Sequence, residues 1–140
     1  MYEYKGKTIV IIGAGLLQVP VINIAKELGM TTVVTDYNKA APGMLLADYP
    51  IVMSTRDIDG TMLAITEFAK THKVDGVITV GTDASMTVAA VANALDLTGI
   101  KFEDAVAASN KVIMRQRFRD NHVEIPDFYK CYSMAELQNA

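Results

Sequence analysis

The 140-residue sequence holds a single cysteine, Cys131, so no internal disulfide can form, which suits a reducing, cytoplasmic setting. Tryptophan is absent and aromatic residues make up only 7% of the chain, too few for platforms that stack bases. Positive charge is not in excess. The formal net charge is −3 with Lys and Arg scattered, which leaves no electrostatic footprint for nucleic acid. No apolar run nears the roughly 20 residues needed to span a bilayer. No basic segment, apolar core and cleavage site open the chain, so neither membrane nor secretory leader is expected. The two histidines, His72 and His122, are far apart, and no His/Cys/Asp spacing suits zinc. Ser85 and Ser109 lack a Gly-x-Ser-x-Gly setting. The residues therefore offer no catalytic group and no metal ligand.

What is there is hydrophobic and periodic. Apolar residues make up 51% of the chain, enough to exclude disorder and to build a core. The organising stretch is residues 8–29. The β-branched run Ile9-Val10-Ile11-Ile12 reads as a strand buried on both faces. Gly13 and Gly15 then allow a sharp turn that a ligand can approach closely, and a helical pattern follows as far as Leu28. A dinucleotide fingerprint would place a small residue three positions after Gly15, where this chain has Gln18. Two glycines that merely make a tight strand–helix turn are the plainer alternative.

Thr31-Thr32-Val33-Val34-Thr35-Asp36 is a second strand. Asp36 falls beside the first turn, where it can accept from a ligand's hydroxyl or amine, or else cap its own Asp-Tyr-Asn turn. Pro42 suits the first turn of a short helix and Pro50 stops it. A third strand is expected at 51–54. Asp57 or Asp59 caps the next helix, whose Met62, Ile65, Phe68 and Ala69 face the sheet. A fourth strand at 74–80 closes on Gly81-Thr82-Asp83. Thr82 or Asp83 is expected to cap a helix over 84–96, and both stand at a strand end where open α/β sheets bind ligands. Repeated strand–helix units predict a three-layer α/β/α fold with a mainly parallel, Rossmann-like sheet in the order 3-2-1-4.

Beyond residue 100 the pattern changes. Helices are expected at 103–108 and 110–120. The second carries Lys111, Arg115, Arg117 and Arg119, spread widely enough to favour a solvated face for most of them. Residues 127–132 alternate like a strand, with Cys131 as a small buried residue. Ser133-Met134-Ala135-Glu136 is a capping box. A helix opening seven residues before the end reads as the start of a following domain. The expected division is 1–121 and 122–140.

In order, these landmarks resemble the N-terminal, pre-ATP-grasp domain of ATP-grasp ligases. The group includes biotin carboxylase, the carbamoyl-phosphate synthase large chain and the purine-biosynthesis carboxylases and formyltransferases. The matching pieces are Ile12-Gly13-Ala14-Gly15, Thr35-Asp36, Ala41-Pro42 with Ala47-Asp48, Val74-Asp75-Gly76-Val77-Ile78, Leu97-Thr98-Gly99-Ile100, Ala108-Ser109-Asn110-Lys111 and Ile125-Pro126. Asn110 stands where the family has aspartate, and Val123-Glu124 replaces its usual glycine turn.

The resemblance implies an enzyme that uses ATP and Mg to convert a small-molecule carboxylate into an acyl phosphate for attack by an amine or other nucleophile. It puts Gly13, Gly15, Leu16 and Asp36 on the substrate side. Lys111, and more weakly Arg115, would face the ATP phosphates. The remaining ATP cradle and the magnesium carboxylates would lie in ATP-grasp domains of the same chain. The isolated 140 residues are then expected to be inert, to hold no cofactor tightly, and to be open to homodimer formation. Two other readings remain open: an NAD-binding half of an oxidoreductase, using Gly13, Gly15 and Asp36, and a non-catalytic ligand-binding α/β module.

Overall fold

A computed structural model describes residues 4–139. Four parallel strands, β1 (Thr8–Ile12), β2 (Thr31–Asp36), β3 (Tyr49–Val52) and β4 (Gly76–Ile78), form one sheet in the order β3-β2-β1-β4, as expected. The helices are α1 (Val19–Glu27), α2 (Pro42–Leu46), α3 (Ile58–Ala69), α4 (Ser85–Ala94), α5 (Phe102–Ser109), α6 (Lys111–Asp120) and α7 (Met134–Gln138). No helix among the described residues is long and apolar enough to cross a membrane. The chain divides into two compact units, one ending at Ala105 and the other starting at Val106.

The first unit is built on strand alternation. Val10, Ile12 and Val33 point to one face of the sheet, where they pack with Ile65 of α3 and Val91 of α4. Ile11 and Val34 point to the other, against Ile22 of α1 and Met44 of α2. A strand buried on both faces must be apolar at every position, which explains the unbroken run in β1. Each fully buried Ile contributes about 2–3 kcal/mol, well beyond an exposed pair such as Lys70–Glu67. Met62, Phe68 and Ala69 join Ile65 against the sheet. Asp57 caps α3, accepting the Gly60 N–H at 2.9 Å.

Several boundaries differ from expectation. The third strand begins at Tyr49 and takes in Pro50, which is tolerated because β3 is an edge strand and can spare one N–H. The fourth is trimmed to three residues. The first helix starts at Val19, because residues 15–18 form a turn before it, and α4 is capped at Ala84 without a side-chain bond, so neither Thr82 nor Asp83 caps it.

In the second unit, residues 127–132 form no strand; alternation alone does not make one where no partner pairs with it. Cys131 is half-buried in irregular chain rather than in a strand core. Asn110 caps α6, its Oδ1 accepting from the N–H groups of Val112 and Ile113 at 3.0 and 3.2 Å. Asparagine caps as well as aspartate does, so the exchange preserves the helix start. At α7 the Ser133 hydroxyl accepts the Glu136 N–H, while the Glu136 carboxylate accepts from Tyr132, one residue before the serine.

Two carboxylates tie the sheet together. Burial alone would raise the Asp48 pKa, but the Lys26 ammonium and the N–H and hydroxyl of Thr32 together lower it. Asp75 sits at the N-terminal edge. The Lys73 ammonium, 2.7 Å away, and the Thr8 N–H at 3.0 Å lower its pKa from 3.8 to about 2, with Lys7 assisting at 3.4 Å. A depressed carboxylate stabilises fully above its unfolded pKa and loses that contribution as pH falls through the folded value. Asp75→Asn should therefore cost about 1 kcal/mol at neutral pH, after solvent screening, and flatten the acid limb between pH 4 and 2. Urea midpoints across that range check it.

Candidate functional site

The sheet order puts a switch point between β1 and β4, because the chain winds outward to β3 and then returns to the opposite side of β1. In open parallel sheets the crevice at the C-terminal ends there is the ligand position. Here it is built around the first turn. Gly13 has φ +100°, a left-handed conformation that favours glycine. Its N–H donates to the Thr35 carbonyl at 2.8 Å, prolonging the ladder. The Ala14 N–H then donates to Asp36 Oδ2 at 3.0 Å, and the Gly43 N–H donates to the Ala14 carbonyl at 2.8 Å. Ala14 is thus held from both sides. A Cβ on Gly43 would come within 2.9 Å of the Ala14 backbone and 2.7 Å of Ile22 Cδ1, so only glycine lets α2 come this close.

Gln18, the departure from the fingerprint, is buried, and its Nε2 donates to the Val80 carbonyl. The Thr79 hydroxyl donates to the Ile12 carbonyl at 2.7 Å. Both bonds tie the end of the fourth strand to the first turn. The buried amide fills space that the fingerprint leaves to a small residue.

A hollow of about 630 Å³ opens above this turn. Gly13, Gly15, Leu16, Asp36 and Thr82 all line it. Asp83 lines an adjoining hollow of about 540 Å³, which shares Thr55, Arg56, Gly81 and Thr82 with the first. The six substrate-side residues expected from the sequence therefore meet in one trough. Asp36 also forms the turn that its sequence allowed: its Oδ1 accepts the Asn38 N–H at 2.9 Å while Oδ2 holds Ala14.

Sequence reasoning missed the β3–α3 loop. Ser54, Thr55 and Arg56 line the trough, and the loop is pinned from two helices. The buried Thr61 hydroxyl donates to the Ser54 carbonyl at 3.0 Å, and the buried Thr87 hydroxyl donates to the Thr55 carbonyl at 2.7 Å. The available signal was positional, since Ser-Thr-Arg-Asp follows a strand just as Gly81-Thr82-Asp83 does. Tyr37 and Leu17 were also missed.

Lys111 and Arg115 belong to the second unit. Lys111 is exposed at the first residue of α6. Arg115 lies over the Phe128 ring at 5.7 Å, with Arg119 over the same ring at 5.1 Å. Among the described residues no three His, Cys, Asp or Glu side chains gather into a metal site.

Residues 22–99, more than half of the chain, match the model of the ATP-grasp N-terminal domain. The chain belongs to that family. It is the N-terminal domain type of an ATP-grasp ligase. Solved structures agree. Phosphoribosylglycinamide synthetase from Anaerococcus prevotii is 27% identical with a TM-score of 0.79, over 97% of this chain and 34% of that one. L-amino acid ligase from Bacillus licheniformis is 20% identical with a TM-score of 0.72, over 94% of this chain and 34% of that one. N5-carboxyaminoimidazole synthetase from Staphylococcus aureus, solved with ADP, is 15% identical with a TM-score of 0.72, over 99% of this chain and 36% of that one. The last two likenesses are of fold. The chain spans about a third of the length of these structures. No curated protein matches it significantly in sequence.

For this ATP-grasp N-terminal domain, Gly43→Ala should lower stability by about 1–3 kcal/mol through the forced retreat of α2. Gly76→Ala, where a Cβ meets nothing within 4 Å, should be near neutral. Equal urea midpoints for the two variants would refute the close-approach account.

Proposed function

We propose that this chain is the substrate-side domain of an ATP-dependent ligase that joins a carboxylate to an amine or other nucleophile. The carrying observation is the trough over a doubly held glycine turn at the switch point, in a chain of the ATP-grasp N-terminal family. In this reading Gly13, Gly15 and Leu16 present backbone to the small-molecule substrate. Thr82 contributes a hydroxyl and Asp83 a charge. Asp36 acts at one remove, orienting the turn through Ala14. The proposed boundary of the substrate-side domain is residue 121, inside the second compact unit, and 122–140 open the adjoining domain.

ATP with Mg, when bound by the assembled ligase, would supply the phosphoryl group that turns the acid into an acyl phosphate. Lys111 suits a phosphate: its ammonium is exposed and has no side-chain partner among the described residues. Arg115 suits it less, being already engaged over Phe128. Phosphoryl transfer needs several preorganised cations and a metal around the transition state, and one free lysine does not supply them. The rest of the ligase is therefore the domain's essential partner.

Two measurements test this. Small carboxylates titrated into the 140-residue chain should shift the amide resonances of Gly13, Gly15, Leu16 and Thr82, and shifts confined to other residues would refute the site. The purified chain with ATP and Mg should hydrolyse at background rate; clear turnover would overturn the division of labour. NADH fluorescence serves as the counter-test, since saturable micromolar binding would favour the oxidoreductase reading.

A further inference from the structure

We propose that the cleft between α3, α4 and the first residue of α5 is a separate ligand site, for a small molecule that carries a primary amine on an apolar body. The cleft shares no residue with the trough or its adjoining hollow, and all of its lining belongs to the first compact unit. Ile58 and Met62 of α3, Ala90 and Ala94 of α4 and Phe102 of α5 give it apolar walls. Its volume is about 260 Å³, under the roughly 300–1,000 Å³ typical of sites for drug-sized ligands, so it suits a smaller one.

The walls are held in place by the chain that leaves α4. The Leu97 N–H donates to the Ala92 carbonyl at 2.8 Å, and a Cβ on Gly99 would stand 3.0 Å from the Ala92 side chain, so this turn lies close on the helix. Asn93 then fixes Phe102. Its Oδ1 accepts the Phe102 N–H at 2.9 Å, and its Nδ2 donates to the Ile100 carbonyl at 3.0 Å. Those two bonds make Asn93, which also lines the cleft, a strut rather than a group free for a ligand. Ala90 and Ala94 lie one turn apart on α4, and their small side chains leave space that longer ones would fill.

Charge selects the occupant. Asp59 is the one charged residue on the lining, and its carboxylate makes no hydrogen bond or ion pair among the described residues. The start of α3 does not need it as a cap, because Asp57 already accepts the Gly60 N–H. No basic side chain lines the cleft to answer it from within, and Lys101 and Glu103, on either side of Phe102 in the chain, offset each other outside the lining. A carboxylate beside apolar walls favours an ammonium whose stem is apolar, and it repels an anion. A second copy of this face would bring its own Asp59, and like charge opposes that pairing in a chain whose net charge is already −3.

The test titrates the 140-residue chain with 2-phenylethylamine, 2-phenylethanol, 3-phenylpropanoate and methylamine, followed by amide and methyl resonances. 2-Phenylethylamine should bind with a dissociation constant on the order of 1 mM. It should shift Met62, Ala90, Ala94 and Phe102 and leave Gly13 and Gly15 still. It should bind about three- to tenfold tighter than 2-phenylethanol, a modest margin because Asp59 is exposed. 3-Phenylpropanoate, with the wrong charge, and methylamine, with no apolar body, should bind more weakly than either. Asp59→Asn should erase the margin between amine and alcohol. Ala94→Leu should weaken both by about tenfold or more, by filling the cleft. Both positions are exposed, so the variants should keep the circular dichroism of the parent chain. Equal binding of amine and alcohol, or no effect of Asp59→Asn, overturns the amine assignment. No shift of the cleft residues at roughly 20 mM amine, or shifts centred on Gly13 and Gly15, overturns the site. Tighter binding of Nα-acetyl-lysine amide than of 2-phenylethylamine gives the cleft to a partner protein's side chain, and self-association abolished by Ala94→Leu gives it to a second copy; either result overturns the proposal.

Discussion

Ala14 is held at both ends of its peptide. Its N–H is taken by the Asp36 carboxylate and its carbonyl by the Gly43 N–H. Those contacts bring three separate segments to one point: the turn after β1, the end of β2 and the start of α2. The approach of α2 depends on a missing Cβ at Gly43, and the turn depends on the left-handed φ of Gly13. A backbone fixed this way loses little entropy when a ligand arrives, which is what preorganisation means at a binding site. Gly13 itself is buried beside the Gln18 and Thr82 side chains, and Gly15 is partly exposed.

The rest of the crevice follows from how each loop is restrained. Gln18 ties the helix start to Val80, and Thr79 ties the same strand end to Ile12. Thr61 and Thr87 do the equivalent for the β3–α3 loop by reaching from two helices to its carbonyls. Buried threonines at helix positions are polar groups in an apolar layer, and each is satisfied by donating to a loop carbonyl, that of Ser54 or of Thr55. The trough is therefore rigid on the side of the sheet and open toward solvent. In the proposed reading, this trough captures a small molecule for chemistry completed by other domains of a ligase.

Much of this was legible in the residues. The β-branched runs, the Gly-x-Gly turn and the alternation of strand and helix are local patterns, and they led to the parallel order β3-β2-β1-β4 through connection rules alone. Gly13, Gly15, Asp36 and Thr82 could be placed at strand ends, and strand ends converge in such sheets. Arg56 could not be singled out the same way. A lone arginine after a short strand looks like any solvated charge until the threonine hydroxyls that fix its loop are seen. Gln18 read only as a mismatch to a motif, because its partner at Val80 lies far along the chain. Residues 127–132 misled for the converse reason, since their alternation is real but strand structure requires a neighbour to pair with.

By itself, then, the amino-acid order determined most of the elements, their parallel sheet and which residues stand at the C-terminal ends of its strands. These depend on periodicity and on glycine and proline stereochemistry, which act within a few residues. Only the tertiary structure decided which charges are spent inside the fold and which are left without partners among the described residues. Asp36 turned out to be committed to the turn, while Arg56 and Asp83 stand without partners beside a shared hollow. Apart from the local Asp36–Asn38 turn, that division is a matter of three-dimensional hydrogen bonding between distant segments.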